Sequence, residues 1–277
     1  MTHRQTSATA ALGRLNIGKY LYYTRAEFMR GLRYRANYWA TLCSSVIITI
    51  IQWSLWRAVY SNTHSIAGVD LPTMMAYVLM GRVTAGFLAE PANLRIGPRV
   101  RSGTIVHDLV KPADLHIQLL FQSLGGALFR LVSTGLPIFL VLLITGALTI
   151  PDPKTIALFM VSLAMGYVAL FSTGFVSGVL TFYTKSGVGV EHLYTLVEFL
   201  SGLYLPLEFF PGWLRTVADW LPFKAIHYIP MAIWSGLTGP GEVVSSLVSQ
   251  LIWTAIMVVL CRAIWSGAVR RLTIQGG

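Results

Sequence analysis

Six long apolar runs separated by short polar stretches dominate the chain: Tyr38 to Tyr60, Thr73 to Ala89, Leu119 to Ile150, Thr155 to Tyr183, Val190 to Leu207 and Ser245 to Trp265. A helix crosses a bilayer core with about 20 mainly apolar residues. The pattern therefore predicts an all-α integral membrane protein with six transmembrane helices inside residues 38–271. The second run is the weakest, because Arg82 lies inside it and Glu90 closes it. The third is too long for one perpendicular crossing, and its first part carries Gln118, Gln122 and Arg130. It reads as a helix that starts in the cytoplasm and then enters the bilayer.

Three further segments have patterns of their own. Residues 1–16 are polar and read as a flexible tail; without a short apolar core and a cleavage site, a removable signal peptide is not expected. Between Ile17 and Asn37, the residues Ile17, Leu21, Phe28 and Leu32 share one face at about 100° per residue, with Lys19, Arg30 and Arg33 opposite. That is an amphipathic helix lying on the membrane, its cations set against anionic lipid. The plainer alternative is a basic flank that only fixes orientation.

The loop Asn93 to Asp114 places Ile105 and Leu109 four residues apart among charges, a spacing that suits a short helix docked in the groove of a soluble partner. An ordinary solvated loop remains the alternative. From Leu205 to Gly241 the chain mixes Pro206, Pro211, Pro222, Pro230 and Pro240 with Trp213, Trp220 and Trp234. Tryptophan favours the water boundary, so short helices broken by proline are expected to dip into the outer leaflet as a re-entrant segment. They would serve there as a lid or as an interfacial anchor.

Composition agrees with a membrane setting. The apolar residues are 55% of the chain and the charged ones 12%, against about 25% charged in soluble domains. The 21 basic residues outnumber the 11 acidic ones. A net charge of +10 can signal nucleic acid, but here the cations flank the spans and no nucleic-acid partner is expected. Fourteen of the basic residues fall on the side of the two termini, and only Lys154, Arg215 and Lys224 on the other. By the positive-inside rule both termini are cytoplasmic.

Recognisable chemistry is sparse. The sequence has no phosphate-cradling G-x-x-x-x-G-K-[ST], no H-E-x-x-H and no G-x-S-x-G. Cys43 and Cys261 belong to no metal-binding or disulfide pattern. Neither catalytic residues nor a metal is expected. Ionisable groups at membrane depth cost about 2.5 to 3.5 kcal/mol each on insertion scales, which makes Arg82, Arg130, Glu191 and Glu198 the intramembrane candidates, with Glu90 at a boundary. Glu191 and Glu198 are seven apart and share a helix face. Ion pairing with Arg82 or Arg130 and contact with a substrate both stay open.

The order of elements resembles the permease subunit of type-2 ABC exporters: a basic surface helix, six spans, a cytoplasmic loop after the second and a proline-rich re-entrant segment before the last. Arg101-Ser102-Gly103-Thr104-Ile105, followed by Asp108-Leu109-Val110-Lys111-Pro112, is similar to the coupling-loop pattern of a bacterial branch of that family. Ser201-Gly202, Pro206-Leu207, Phe209-Phe210-Pro211, Leu221-Pro222-Phe223, Pro230 and Gly236 are similar to its pattern around the fifth span. The resemblance implies a non-catalytic chain in the bacterial inner membrane that forms half of an export pathway. A second copy or a sister permease would form the other half. Two ABC ATPase subunits would hold ATP and Mg²⁺, with no cofactor in this chain. Arg99, Arg101, Gly103, Ile105, Asp108, Leu109 and Lys111 would couple the chain to the ATPase. Family substrates imply an amphipathic or cationic small molecule, a lipid or a peptide. A membrane-embedded lipid-modifying enzyme and a stand-alone secondary transporter are the alternatives. The first lacks a cluster of His, Asp or Glu, and the second an internal repeat.

Overall fold

The computed structural model describes residues 17–33, 35–89, 114–184 and 195–275. The chain opens with α1 (Ile17–Arg33) and α2 (Arg35–Val59), followed by a two-stranded antiparallel hairpin of β1 (Ser65–Ile66) and β2 (Val69–Asp70). Next come α3 (Leu71–Ala85), α4 (Leu115–Arg130), a π-helical turn at Leu131–Gly135 and α5 (Leu136–Ile144). After α6 (Pro153–Thr184), residues 195–200 are helical. Short pieces then alternate: a 3-10 turn at Leu207–Phe209, α7 (Gly212–Trp220), a second 3-10 turn at Pro222–Ala225 and α8 (Tyr228–Ser235). The last helix is α9 (Val243–Gln275).

Among the described residues, four stretches are long and apolar enough to cross a membrane: Tyr38–Val59, Leu115–Ile144, Pro153–Val179 and Val243–Gly267. The expected second span is shorter than its apolar run. α3 has 15 residues, about 22 Å at 1.5 Å per residue, against a hydrocarbon core of about 30 Å. Asp70 starts it by accepting a bond from the Thr73 amide at 3.2 Å, and Pro72 fits its first turn. Wrapped in protein, it buries Met74, Tyr77, Val78, Leu79, Met80 and Val83 together. Of the expected fifth span, 195–200 is helix and 190–194 lies outside the described residues.

Other boundaries shift for local reasons. The surface helix ends at Arg33 and not at Asn37, because Arg35 and Ala36, both good helix formers, extend α2 below its apolar stretch. The third run starts at Leu115, where the Asp114 carboxylate accepts from the Ile117 amide at 3.1 Å. Its helix closes at Ile144, and Gly146 turns the chain with φ +67°. The π turn has a cause in Pro137, which lacks an amide hydrogen and crowds the carbonyl one turn back. α6 and α9, of 32 and 33 residues, extend to about 48 and 50 Å. That exceeds a whole bilayer with headgroups, about 40 to 45 Å. The expected tail 1–16 lies outside the described residues, as does nearly all of the expected loop 93–114.

Candidate coupling base and intramembrane polar sites

The base of the molecule is built where α1 docks on α4. A Cβ on Gly125 would collide with the carbonyl oxygen of Thr24, so only glycine lets the two backbones meet. The Thr24 hydroxyl donates to the Phe121 carbonyl at 2.8 Å, and Phe28 meets Phe129 edge-on at 5.8 Å. Glu27 is buried at 7% exposure, pairs with Arg30 at 2.5 Å and accepts from Gln122 Nε2 at 3.5 Å. Leu21 and Leu32 are left exposed. The stripe Ile17, Leu21, Phe28 and Leu32 is therefore divided, since Phe28 faces protein.

The start of α4 is tied to the last helix. Asp114 lies 3.7 Å from the Arg262 guanidinium, and the His116 ring stands edge-on to Phe171 and Phe175 at 5.2 and 4.8 Å. Leu115, Leu119, Phe171, Phe175, Val179 and Cys261 form a separate apolar core around that point. Higher up, Arg130 Nε donates to the Gly86 carbonyl at 2.7 Å, locking the end of α3 to α4. A Cβ on Gly135 would meet the Val83 carbonyl, so the π turn also packs backbone against backbone.

Where the helix 195–200 ends, buried polar groups converge. Gly202 adopts φ +81°, and its carbonyl accepts from the Tyr77 hydroxyl at 2.6 Å. The Tyr228 amide donates to the Ser201 carbonyl at 2.9 Å, and the Ser201 hydroxyl lies 2.8 Å from His227 Nδ1. Tyr228 donates its hydroxyl to Glu208 at 2.6 Å, with Arg215 at 3.6 Å from the same carboxylate. His227 sits between the spans, and burial pushes its imidazole down to about 3, which keeps it neutral. Hydroxyl, amide and neutral imidazole arranged in this way fasten the segment 205–241 to α3.

A family model described as "ABC-2 family transporter protein" matches residues 46–276. The chain belongs to the ABC-2 transporter family. Comparisons with curated proteins and with solved structures returned no match. Membership makes the chain a multi-pass membrane component of an ABC transporter, a permease whose family implies association with an ABC ATPase.

In this ABC-2 permease the candidate residues fall into two groups. Arg99, Arg101, Gly103, Ile105, Asp108, Leu109, Lys111, Glu90 and Glu191 lie outside the described residues. Arg82, Arg130 and Glu198 lie within them. The Glu198 carboxylate accepts from the Tyr204 hydroxyl at 3.3 Å, and Tyr204 is within electrostatic reach of Arg82. Among the described residues, no ion pair joins Glu198 to Arg82 or Arg130.

Sequence reasoning passed over Gln250 and Ser162. Gln250 Nε2 donates to the carbonyls of Ser162 and Ala225 at 2.9 and 2.8 Å, and the Ser162 hydroxyl donates to Gln250 Oε1 at 2.7 Å. This joins α9, α6 and the 3-10 turn at Pro222–Ala225. The available signal was an amide in the middle of an apolar run, a residue that must find partners in hydrocarbon.

Proposed function

We propose that this permease forms half of the pathway of an ATP-driven exporter in the bacterial inner membrane, with both termini cytoplasmic. The other half is a second copy or a sister permease. Two ABC ATPase subunits bind ATP and Mg²⁺ and drive the cycle. The loop holding Arg99, Arg101, Gly103, Ile105, Asp108, Leu109 and Lys111 receives their movement. The observation that carries this reading is the family match over residues 46–276.

The architecture supplies a physical route for the movement. The loop ends at Asp114, the residue that caps α4 and lies against Arg262 of α9. α4 is clasped by α1 through Gly125 and tied to α3 through Arg130. A push on the loop therefore reaches α4 and α9 directly at Asp114, and α1 and α3 through contacts further along α4. Substrates of amphipathic or cationic character, whether small molecules, lipids or peptides, suit a pathway that contains the half-buried Glu198.

The test is a cysteine at Ile105, cross-linked in membranes to a co-expressed ABC ATPase. A cross-linked band that changes in intensity with ATP is expected. If no position between Arg99 and Leu109 cross-links, coupling through this loop is wrong.

A further inference from the structure

We propose that the crevice between α2, α3 and α5 holds an anionic phospholipid, with one acyl chain along the crevice and the phosphate on Arg57. The crevice has a volume of about 790 Å³, within the range of about 300 to 1,000 Å³ typical of ligand sites. Val46 and Ile50 of α2, Met75 and Ala76 of α3, and Val141 and Leu142 of α5 form its walls. Pro137 and Gly146 also line it. The π turn before Pro137 and the φ +67° turn at Gly146 bound α5 at either end.

The surroundings select a lipid. α2 is almost unburied within the chain, and Ile47, Ile51 and Leu55 are each more than half exposed. The crevice thus lies beside an exposed aliphatic surface of α2. Apolar side chains alone would accept any acyl chain, but one end carries a cation. Arg57 is exposed in the last turn of α2, two residues before the helix ends, with its guanidinium 4.7 Å from the centre of the Trp53 ring. Among the described residues no carboxylate pairs with it, and the lining contains no acidic residue.

A guanidinium at the rim of an apolar slot matches a phosphate attached to a hydrocarbon tail. Its planar fork can bond two phosphate oxygens at once. Stacking on Trp53 holds the fork at the depth where headgroups lie. Thr149, which also lines the crevice, adds a hydroxyl to it. A free phosphate would satisfy Arg57 and leave the crevice unfilled, whereas a phospholipid satisfies both.

The experiment is native mass spectrometry of the detergent-solubilised full chain, titrated with phosphatidylglycerol or phosphatidylcholine of identical acyl chains. The wild type is expected to prefer phosphatidylglycerol by roughly fivefold, the gain of one cation at an anionic headgroup. Arg57→Gln should erase that preference and still bind both lipids. Val141→Trp, placed on an exposed wall position, should weaken both; Leu42→Trp on the facing wall is the second filling variant. Size-exclusion profiles confirm that each variant is folded. An unchanged headgroup preference in Arg57→Gln overturns the proposal, as does unchanged lipid binding in both filling variants. If the filling variants instead dissociate a dimer and leave lipid binding intact, a second copy occupies the crevice and the proposal fails. Binding of inorganic phosphate that competes equally well with phosphatidylglycerol would also overturn it.

Discussion

Gly202 ties three parts of the molecule together through one backbone angle. With φ at +81° it accepts the Tyr77 hydroxyl, and an added Cβ would lie 2.8 Å from that oxygen and 2.9 Å from the Tyr228 Cβ. A left-handed angle costs other residues roughly 1 to 2 kcal/mol, and the collision adds to it. Gly202→Ala should lower the thermal midpoint in detergent by about 5 °C or more. Gly212→Ala, where a Cβ meets open space, should leave it unchanged within error. Equal midpoints for the two variants would refute this account of Gly202. His227 gives a prediction in pH. Its folded pKa is about 3, below the ordinary value of 6.5, so the unfolded chain binds a proton first. Stability is full above about pH 6.5 and is lost as pH falls, by up to about 1.4 kcal/mol per pH unit. Thermal midpoints from pH 7.5 to 5 should fall less steeply in His227→Gln than in the wild type; parallel slopes would contradict it.

Elements show where the pattern of the sequence was sufficient and where it was not. Long apolar helices and the polar opening of α4 were legible, because burial in hydrocarbon demands a run of apolar residues. The docking of α1 was not. Its 100° periodicity placed Phe28 with Leu21 and Leu32, but Gly125 brings α4 so close that Phe28 turns onto Phe129. A glycine contact leaves no periodic trace in a sequence. α3 looked like a weak span because Arg82 interrupts it, yet eight of its 15 residues are buried by its neighbours. Tyr77, Gln250 and Ser162 were missed because an uncharged polar residue hardly disturbs an apolar run. Cysteines replacing Phe28 and Phe129, joined by a short bismaleimide, should cross-link α1 to α4 in membranes. No cross-link in assembled protein would mean that α1 lies free on the bilayer.

The whole molecule combines a wide apolar body with a base that extends beyond it. Helices α6 and α9 are longer than a bilayer is thick, and α4 begins at Asp114 beside Arg262 of α9. Residues 99–111, which carry the pattern similar to a coupling loop, lie outside the described residues and within the stretch 46–276 that the family model matches. Charge bias, six apolar runs and the proline-rich segment were enough to reach the family. Substrate identity was not legible, since a pathway shared by two chains leaves no complete set of ligands in one of them. The central claim is that an ABC ATPase drives this permease through Ile105 and Leu109. Affinity purification of the tagged chain, co-expressed with its ATPase and held in nanodiscs, measures that directly as the ratio of ATPase to permease. The wild type should retain the ATPase at a fixed ratio, and Ile105→Asp with Leu109→Asp should release it while the permease stays folded in the membrane. A wild-type chain that retains no ATPase, or a double variant that retains as much as the wild type, would contradict the account.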